Sequence, residues 1–358
     1  MLIYWILFLI PAMAALSTGT RFKRNRAGRA QLTPAWIAIF FLLVIIIGLR
    51  HKVGGDWYNY LGHLHDARGA PLGEMLTHSD PGYRALNWLA VQLGWGIYGV
   101  NTLGALIFVF GLLAFCRSMP RPWLALSVAT PYLLIVVAMG YTRQGIALGL
   151  AMLGLLALNR RSARGFGGWV LAGASFHRSA VLLLPVAALS ATRKRIWSAF
   201  WIGIIALVGY LAFLERDIES LYSNYIAEGY QSQGALTRLG MTAVAAALFL
   251  RLQSRFDLPK ESVSLWRWIS ILSLAMFAAC LLVPASSTAL DRMGLYLLPL
   301  QVLVFSHFPS AVGTPRTRKL WVAAVLAYYA AILLVWLLFA NNAFAWRPYM
   351  NWLLAEGA

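Results

Sequence analysis

Charged residues are scarce in this sequence, and acidic residues are the scarcest. Only 12% of the 358 residues are charged, with 12 Asp and Glu against 30 Lys and Arg. Soluble globular proteins contain about 25% charged residues, so the composition excludes a large soluble domain. The 60% hydrophobic content and the mean hydropathy of +0.69 predict an integral membrane protein, because each bilayer-spanning helix needs about 20 mostly apolar residues.

Cysteine is also rare, and the few acidic residues form no obvious metal site. Cys116 and Cys280 both lie in apolar stretches, where they are expected to be small hydrophobic residues. We find no carboxylate cluster suited to Mg²⁺, so we predict no metal and no cofactor. The net charge of +18 does not indicate nucleic acid, because the basic residues lie in short loops, as the positive-inside rule requires of a membrane protein.

Six basic loops determine the predicted topology. They hold 20 of the 30 Lys and Arg and are therefore predicted to be cytoplasmic. These loops are Arg21–Arg29, Arg117–Arg121, Arg160–Arg164, Arg193–Arg195, Arg251–Arg267 and Arg316–Lys319. The N-terminus and the tail from Asn341 are then outside, and the chain is predicted to be one all-α membrane domain over residues 1–358.

This threading predicts an all-α polytopic protein with about ten transmembrane helices. The predicted spans are Leu2–Ser17, Pro34–Leu49, Asn101–Cys116, Trp123–Met139, Gln144–Leu158, Ile196–Leu214, Gly240–Leu252, Trp266–Val283, Met293–Phe308 and Leu320–Ala340. Outer loops are predicted at about Arg50–Tyr83 and Glu215–Leu239. The amphipathic stretch Arg84–Val100 is expected to lie on the outer interface.

One apolar segment does not fit a single span. Gly168–Ser190 separates two loops that are both predicted to be cytoplasmic, and its 23 residues are too few for two full spans. Its centre is polar, with His177 in the middle of Ser175–Ser179. We therefore predict two half-helices that meet at His177, either a re-entrant hairpin or a shortened pair, as is tolerated where irregular backbone lines a cavity.

The polar residues that remain gather on the predicted outer side. Ten of the 12 acidic residues fall there, although the threading did not use them. Arg50, Arg143 and Arg292 adjoin helix ends on the same side. Arginine near the membrane is costly and usually faces a cavity or a partner, and it suits bidentate phosphate binding. The arrangement predicts a lipid-linked phosphate or diphosphate as substrate, bound at the outer leaflet by these three arginines.

Transfer from such a diphosphate to a hydroxyl group requires a general base. Asp56, His177 and Asp291 are the candidates, and we favour Asp56 because Gly54 and Gly55 permit a tight turn close to Arg50. Structural alternatives stand beside these roles. Arg50 could be an interface anchor, Asp291 a helix cap, and His177 a hydrogen-bonded core residue.

The motifs in their order along the chain resemble the EpsG family of Wzy-like exopolysaccharide and O-antigen polymerases. The matching pieces are Arg50…Gly54-Gly55-Asp56-Trp57…Tyr60, Asp80-Pro81-Gly82-Tyr83…Leu86-Asn87, Arg143-Gln144…Ala147, Phe176-His177-Arg178-Ser179-Ala180…Pro185, Asp291-Arg292…Tyr296 and Trp346-Arg347-Pro348-Tyr349.

The resemblance implies a fold similar to metal-independent, lipid-dependent (GT-C-like) membrane glycosyltransferases. It also implies an activity, the joining of oligosaccharide repeat units carried on undecaprenyl diphosphate at the periplasmic face of the bacterial inner membrane. A flippase and a chain-length regulator are the protein partners it implies. The residues expected to bind the diphosphate or the glycan are Arg50, Arg143, Gln144, Arg292, Tyr60, Tyr83, Tyr296 and Arg347.

Two other functions fit part of the pattern. A flippase or transporter for a lipid-linked oligosaccharide also needs cations in a cavity, but it usually has repeated halves, and we find no repeat in the sequence. An outer-face glycan ligase or acyltransferase is harder to separate from a polymerase, because a ligase uses the same lipid-diphosphate donor.

Overall fold

The computed structural model describes residues 1–18, 24–25, 28–160, 162–185, 234–283 and 287–354. The chain divides into two compact units. The first comprises Met1–Leu150, Ser175–His177 and Val322–Ala358, and the second comprises Ala151–Ala174 and Arg178–Trp321. The single membrane domain expected from the composition stays a prediction.

Every secondary-structure element longer than an isolated bridge is helical in the part of the chain that the structure describes. The helices are α1 (Leu2–Ser17), α2 (Pro34–Gly48), α3 (Trp57–Asp66), α4 (Leu72–Thr77), α5 (Pro81–Gln92), α6 (Gly96–Cys116), α7 (Pro122–Ala129, continued as a π-helix over Thr130–Ala138), α8 (Thr142–Asn159), α9 (Ala163–Phe176), α10 (Ala235–Leu252), α11 (Lys260–Leu282), α12 (Ser287–Gly294), α13 (Pro299–Val312) and α14 (Arg318–Phe339). Short 3₁₀ turns lie at Arg178–Leu182, Gln253–Arg255, Leu295–Leu297, Ala343–Trp346 and Trp352–Leu354.

The apolar helices make this a multi-pass membrane protein. Among the described residues, four helices are long and apolar enough to cross a bilayer, and a fifth span arises if the pair Ser287–Leu297 and Pro299–Val312, bent by 49°, is counted as one. Leu2–Ser17, Pro34–Gly48 and Pro122–Ala138 are apolar but shorter. The count of ten spans therefore stays a prediction. The predicted span Ile196–Leu214 lies outside the described residues.

Several predicted boundaries were wrong, for local reasons. The outer loop Arg50–Tyr83 contains α3 and α4 and the beginning of α5. Helix α6 begins at Gly96 rather than Asn101, and positive φ angles at Gly94 (68°) and Gly96 (57°) form the turn before it. Of the second predicted outer loop, Glu215–Leu239, residues 215–233 lie outside the described part of the chain, and α10 already begins at Ala235.

The predicted span Met293–Phe308 was also wrong, because it is not one straight helix. Helix α12 and a 3₁₀ turn come first, and α13 begins at Pro299. Proline lacks a backbone N–H and is favoured in the first turn of a helix rather than in its interior. The bend therefore falls where the chain can accept it without losing a helical hydrogen bond.

The predicted break at His177 is confirmed. Helix α9 ends at Phe176, and a 3₁₀ turn begins at Arg178. The first half-helix is longer than expected, because it begins at Ala163 rather than Gly168. Of the predicted second half, residues 178–185 are described, and residues 186–190 lie outside the described part of the chain. Whether the pair is re-entrant stays a prediction.

Elements that were predicted to share a side of the membrane do meet within the first unit. The segment before α2 and the segment after α6, both predicted to be cytoplasmic, are joined by a hydrogen bond in which Ala30 N–H donates to Arg117 O at 2.7 Å. At the other end of α2, Trp352 N–H of the tail donates to Leu49 O at 2.7 Å. Because α2 and α6 pack together with Gly48 against Thr102, the two helices run antiparallel. The side facing the periplasm stays a prediction.

Helices α6 and α8 approach so closely that only glycine fits between them. A Cβ atom on Gly111 would lie 2.1 Å from Gly149 O, and one on Gly149 would lie 2.7 Å from Phe108 Cα. Small residues of this kind allow membrane helices to bring their backbones into contact. The contact places the beginning of α8, which carries site residues, against α6.

We predict that Gly111→Ala destabilises the protein by about 2 kcal/mol, because the new methyl group overpacks the contact. The measurement is the thermal midpoint of unfolding of the purified protein in detergent. Gly168→Ala in α9 is the matched control, since a Cβ there meets nothing within 4 Å among the described residues. It should be neutral or stabilising by up to about 1 kcal/mol. Equal midpoints for the two variants would contradict the account.

Candidate active site

Arg50 lies in the turn that follows α2, and its guanidinium is inside the protein. The residue is 1% exposed. Its Nε and Nη1 donate to the backbone oxygens of Val53 (3.2 Å) and Ile47 (2.6 Å). Its Nη2 donates to Asn101 Oδ1 (3.0 Å) on α6 and to Thr142 Oγ1 (2.7 Å) on α8. With a protein acceptor on each nitrogen and no exposed surface, Arg50 holds the fold together, and we do not retain it as the predicted diphosphate ligand.

The segment after Arg50 depends on one glycine. Gly54 has φ of 106°, and a Cβ there would lie 2.3 Å from Met139 O. Its N–H donates to Ala345 O at 2.9 Å. The turn leads directly to Asp56 at the N-terminus of α3. The predicted tight turn before Asp56 is therefore confirmed, with Gly54 rather than Gly55 in the left-handed region.

The C-terminal tail packs against this turn. This packing accounts for the presence of the tail residues Trp346–Tyr349 among the motifs. Trp346 is buried, and its indole N–H donates to Ile135 O at 3.0 Å. The Tyr349 hydroxyl donates to Ile46 O at 2.8 Å. Arg347 is half-buried, precedes a cis proline, and its Nε donates to Ala343 O at 3.4 Å. The tail thus supports the site through Trp346 and Tyr349, while the Arg347 Nε bonds within the tail itself.

Arg143 lies in the first turn of α8, next to Thr142, in surroundings unlike those of Arg50. Its Nη1 donates to Asp80 Oδ2 at 2.9 Å, and its Cζ lies 5.9 Å from the centre of the Tyr83 ring. Its backbone is hydrogen-bonded to Tyr60. The side chain is 27% exposed, although its Nε is buried and has no hydrogen-bond partner among the described residues. Arg143 therefore differs from Arg50 in keeping part of its side chain accessible.

Asp80 holds Arg143 from a position that is unusual for its residue type. Its φ is 57°, in the left-handed region, which aspartate visits more readily than most residues but at some cost. It stands at the N-cap of α5 yet makes no side-chain cap hydrogen bond. Its carboxylate is 8% exposed and pairs with Arg143. A residue type that commonly caps a helix is thus used to orient a guanidinium.

Three aromatic rings form the wall beside Arg143. The centres of the Tyr60 and Tyr83 rings lie 5.7 Å apart, and His63 lies 5.8 Å from Tyr83. Tyr60 and Tyr83 are buried. Burial, and then the carboxylate of Asp56, raise the pKa of Tyr60 to about 12. Both the hydroxyl of Tyr60 and the ring of Tyr83 therefore face Arg143 as neutral groups at physiological pH.

His63 stays neutral in these surroundings. Burial, followed by the positive charges of Arg143 and Arg84, lowers the pKa of His63 to about 4, while Asp66 opposes the shift. Its Nδ1 is buried without a hydrogen-bond partner among the described residues. Arg84 forms an ion pair with Asp66 at 2.9 Å.

The structure brings Asp56 into the same group. The residue is half-buried, and its charge acts on both Tyr60 and Arg143. Gln144 follows Arg143 and is buried, with Nε2 lacking a partner among the described residues. His177 is buried in the same unit, where Ser175 packs so tightly on Gly82 that a Cβ there would lie 2.5 Å from Ser175 Oγ.

The remaining predicted residues lie in the second unit. Asp291 is engaged by both Nε and Nη2 of Arg238, with Nε 2.7 Å from Oδ1. Tyr296 is buried, and its hydroxyl is 3.2 Å from the Ser179 hydroxyl that donates to it. Arg292 is half-buried in α12. Because Arg238 engages both carboxylate oxygens of Asp291, the proposal below uses Asp56 rather than Asp291 as the base.

Sequence reasoning missed Asp80, His63 and Arg238 as site residues. Asp80 stood in a quoted motif but received no role, although an aspartate before proline and glycine could have signalled an unusual backbone. His63 lies three residues after Tyr60, and this spacing could have indicated that both lie on the same face of α3. No signal in the sequence indicates that Arg238 pairs with Asp291. Among the residues the structure describes, no group of three or more His, Cys, Asp or Glu could hold a metal ion.

The fold and this cluster define a multi-pass helical membrane protein with a polar site centred on an arginine. A family model, the EpsG family, matches residues 35–351, and the chain belongs to that family. Membership indicates a polymerase-type membrane protein of exopolysaccharide or polysaccharide synthesis. Comparisons with curated proteins and with solved structures give no match. The resemblance found in the motifs is therefore confirmed, and the GT-C-like fold stays a prediction.

The different surroundings of the two arginines lead to a stability prediction. Arg50→Lys should destabilise the protein by about 3 kcal/mol, because one ammonium group cannot replace a guanidinium that donates to four acceptors. Arg143→Lys should cost less than about 1 kcal/mol, since the partly exposed lysine can still pair with Asp80. Thermal midpoints of both variants in detergent test this. A tolerated Arg50→Lys would show that the buried network is not structural.

Proposed function

We propose that this protein is a polysaccharide polymerase that joins oligosaccharide repeat units carried on undecaprenyl diphosphate at the periplasmic face of the bacterial inner membrane. One observation carries the proposal. The guanidinium of Arg143 is held by Asp80 beside the Tyr83 ring, yet the Arg143 side chain stays 27% exposed. Family membership supports the same kind of activity.

Arg143 is suited to stabilise the departing diphosphate. When the bond between the anomeric carbon and the diphosphate oxygen breaks, negative charge develops on that oxygen. A preoriented cation in a poorly solvated site stabilises such charge strongly, and a guanidinium can donate two parallel hydrogen bonds to phosphate oxygens. Asp80 fixes the orientation of Arg143 from one side, which leaves the exposed part of the Arg143 side chain for the substrate.

Asp56 is the base that the geometry supports best. It is half-buried and close enough to Arg143 and Tyr60 for its charge to act on both. In the proposed step, Asp56 accepts the proton of the acceptor hydroxyl, and the hydroxyl oxygen bonds to the anomeric carbon of the donor sugar. The anomeric carbon–oxygen bond to the diphosphate breaks, and its electron pair leaves with the diphosphate.

The other residues expected to bind substrate take secondary places in this proposal. Tyr60 and Tyr83 form a neutral wall that limits solvent around Arg143, and Gln144 offers an amide donor next to it. Arg292 and Tyr296 stay predicted contacts to the glycan or diphosphate in the second unit, and His177 stays an alternative base. A flippase that supplies the lipid-linked units and a regulator of chain length are the proposed partners.

Arg143→Ala and Arg143→Lys should both abolish polymer, because a lysine restores charge without the paired donors of the guanidinium. The measurement is the length distribution of surface polysaccharide in cells that carry each variant. The exposed Arg68→Ala in the same outer segment is the control and should retain full-length polymer. Single repeat units support a polymerase, whereas long lipid-linked chains would indicate a ligase. Full activity of Arg143→Lys would show that residue 143 needs only a positive charge.

Asp56→Asn should reduce the polymerisation rate by at least about a hundredfold, the usual contribution of a positioned general base. The assay follows chain extension by the purified protein from lipid-linked repeat units. Asp66→Asn is the control, because that carboxylate lies on the same helix but is more than half exposed. If Asp56→Asn extends chains at the normal rate, the proton must go to another group.

A further inference from the structure

Three aromatic side chains form a row on the surface of the first unit, separate from the wall beside Arg143. They are His51 in the turn after α2, Tyr98 in the first turn of α6 and Trp352 in the tail. The ring centres are 6.2 Å apart for His51 and Tyr98 and 5.3 Å apart for Tyr98 and Trp352. Successive rings are inclined by only 28° and 31°. We call these three residues the aromatic row.

Hydrogen bonds and packing hold the aromatic row in place. His51 Nδ1 and the Tyr98 hydroxyl are 2.6 Å apart. The backbone on both sides is fixed, since His51 N–H donates to Met350 O at 3.0 Å and Trp352 N–H donates to Leu49 O at 2.7 Å. Buried Trp57 lies behind the row, 5.8 Å from His51 and 6.2 Å from Tyr98 between ring centres. Trp352 itself is 45% exposed.

The row combines ring faces with polar edge atoms. Burial, followed by the charge of Lys52, lowers the pKa of His51, so its imidazole is neutral at physiological pH. A neutral imidazole whose Nδ1 accepts a hydrogen bond from the Tyr98 hydroxyl carries its proton on Nε2, and Nε2 is then a hydrogen-bond donor. The face of Trp352 and the edges of His51 and Tyr98 thus present apolar and hydrogen-bonding surface side by side.

Those are the two kinds of surface that a sugar ring needs. A pyranose has apolar C–H faces and a rim of hydroxyl groups, and aromatic rings offer a matching face with weak C–H contacts. A row of Trp and Tyr at a membrane interface can instead anchor the protein among lipid headgroups. Two observations favour sugar here: the hydrogen bond within the row orients its polar edges, and the turn that carries His51 also carries Asp56.

We propose that the aromatic row is a binding subsite for the oligosaccharide part of the lipid-linked substrate. This inference rests on the proposed function, because it assigns the glycan to a surface that adjoins the turn bearing the proposed base. The subsite would hold the glycan by ring stacking and by hydrogen bonds to hydroxyl groups, independently of the diphosphate at Arg143.

The test measures binding of soluble oligosaccharides that have neither lipid nor phosphate, using an array of bacterial repeat-unit oligosaccharides and the purified full-length protein. Trp352→Leu should weaken binding by at least about tenfold. Trp95→Leu is the matched control, since Trp95 is another outer tryptophan with similar exposure (51%), and it should bind as the unchanged protein does. Tyr98→Phe, which removes only the hydroxyl, should give a smaller loss.

Equal binding by the Trp352→Leu and Trp95→Leu variants, or binding of no oligosaccharide by the unchanged protein, would overturn the inference. Equal losses of membrane insertion in both variants would instead assign the row to lipid anchoring and also overturn it. The result is separable from the proposed function. Failure of the polymerase proposal would appear as normal polymer in Arg143→Ala cells, a readout that does not depend on Trp352.

Discussion

The buried guanidinium of Arg50 is the interaction on which the rest of the first unit depends. It joins the turn after α2 to α6 through Asn101 and to α8 through Thr142. A buried charge is costly unless hydrogen bonds replace the water it loses, and four neutral oxygens do so here. Because Thr142 begins α8 and Arg143 follows it, the position of Arg143 depends on this network.

Two arginines that are close in space, Arg50 and Arg143, therefore have different roles. One has all three of its nitrogens bonded to protein and keeps the elements together, and the other is held by Asp80 with part of its surface exposed. The left-handed backbone of Asp80 is a local cost that a purely structural helix cap would not require. Such a cost is reasonable where a guanidinium must be aimed before its substrate arrives.

Much of this could be predicted from the sequence, because the relevant physics is local. Apolar runs identified the helices, the polar residues around His177 identified the break, and Gly54 was expected to form the turn before Asp56. The ordered motifs identified the family, and the structure then placed Asp56, Tyr60, Tyr83 and Arg143 together. Those four residues come from three separate motifs, so their proximity supports the reading of the motifs as one site.

What could not be predicted depended on tertiary packing. Arg50 and Arg143 both look like arginines at helix ends, and only the approach of Asn101 and Thr142, which are 51 and 92 residues away in the chain, makes one of them structural. The pairing of Asp291 with Arg238, which occupies both carboxylate oxygens of a candidate base, also depends on tertiary packing. The bend before α13 was missed because hydropathy alone does not show that a new helix begins at Pro299.

We propose that Arg143, and not Arg50, meets the diphosphate of a lipid-linked substrate. An experimental structure of the protein in a lipid nanodisc with undecaprenyl diphosphate bound tests this most directly. We expect phosphate oxygens within hydrogen-bonding distance of the Arg143 guanidinium, with the Arg50 network unchanged. A diphosphate bound to Arg50, or bound away from Arg143, would contradict it.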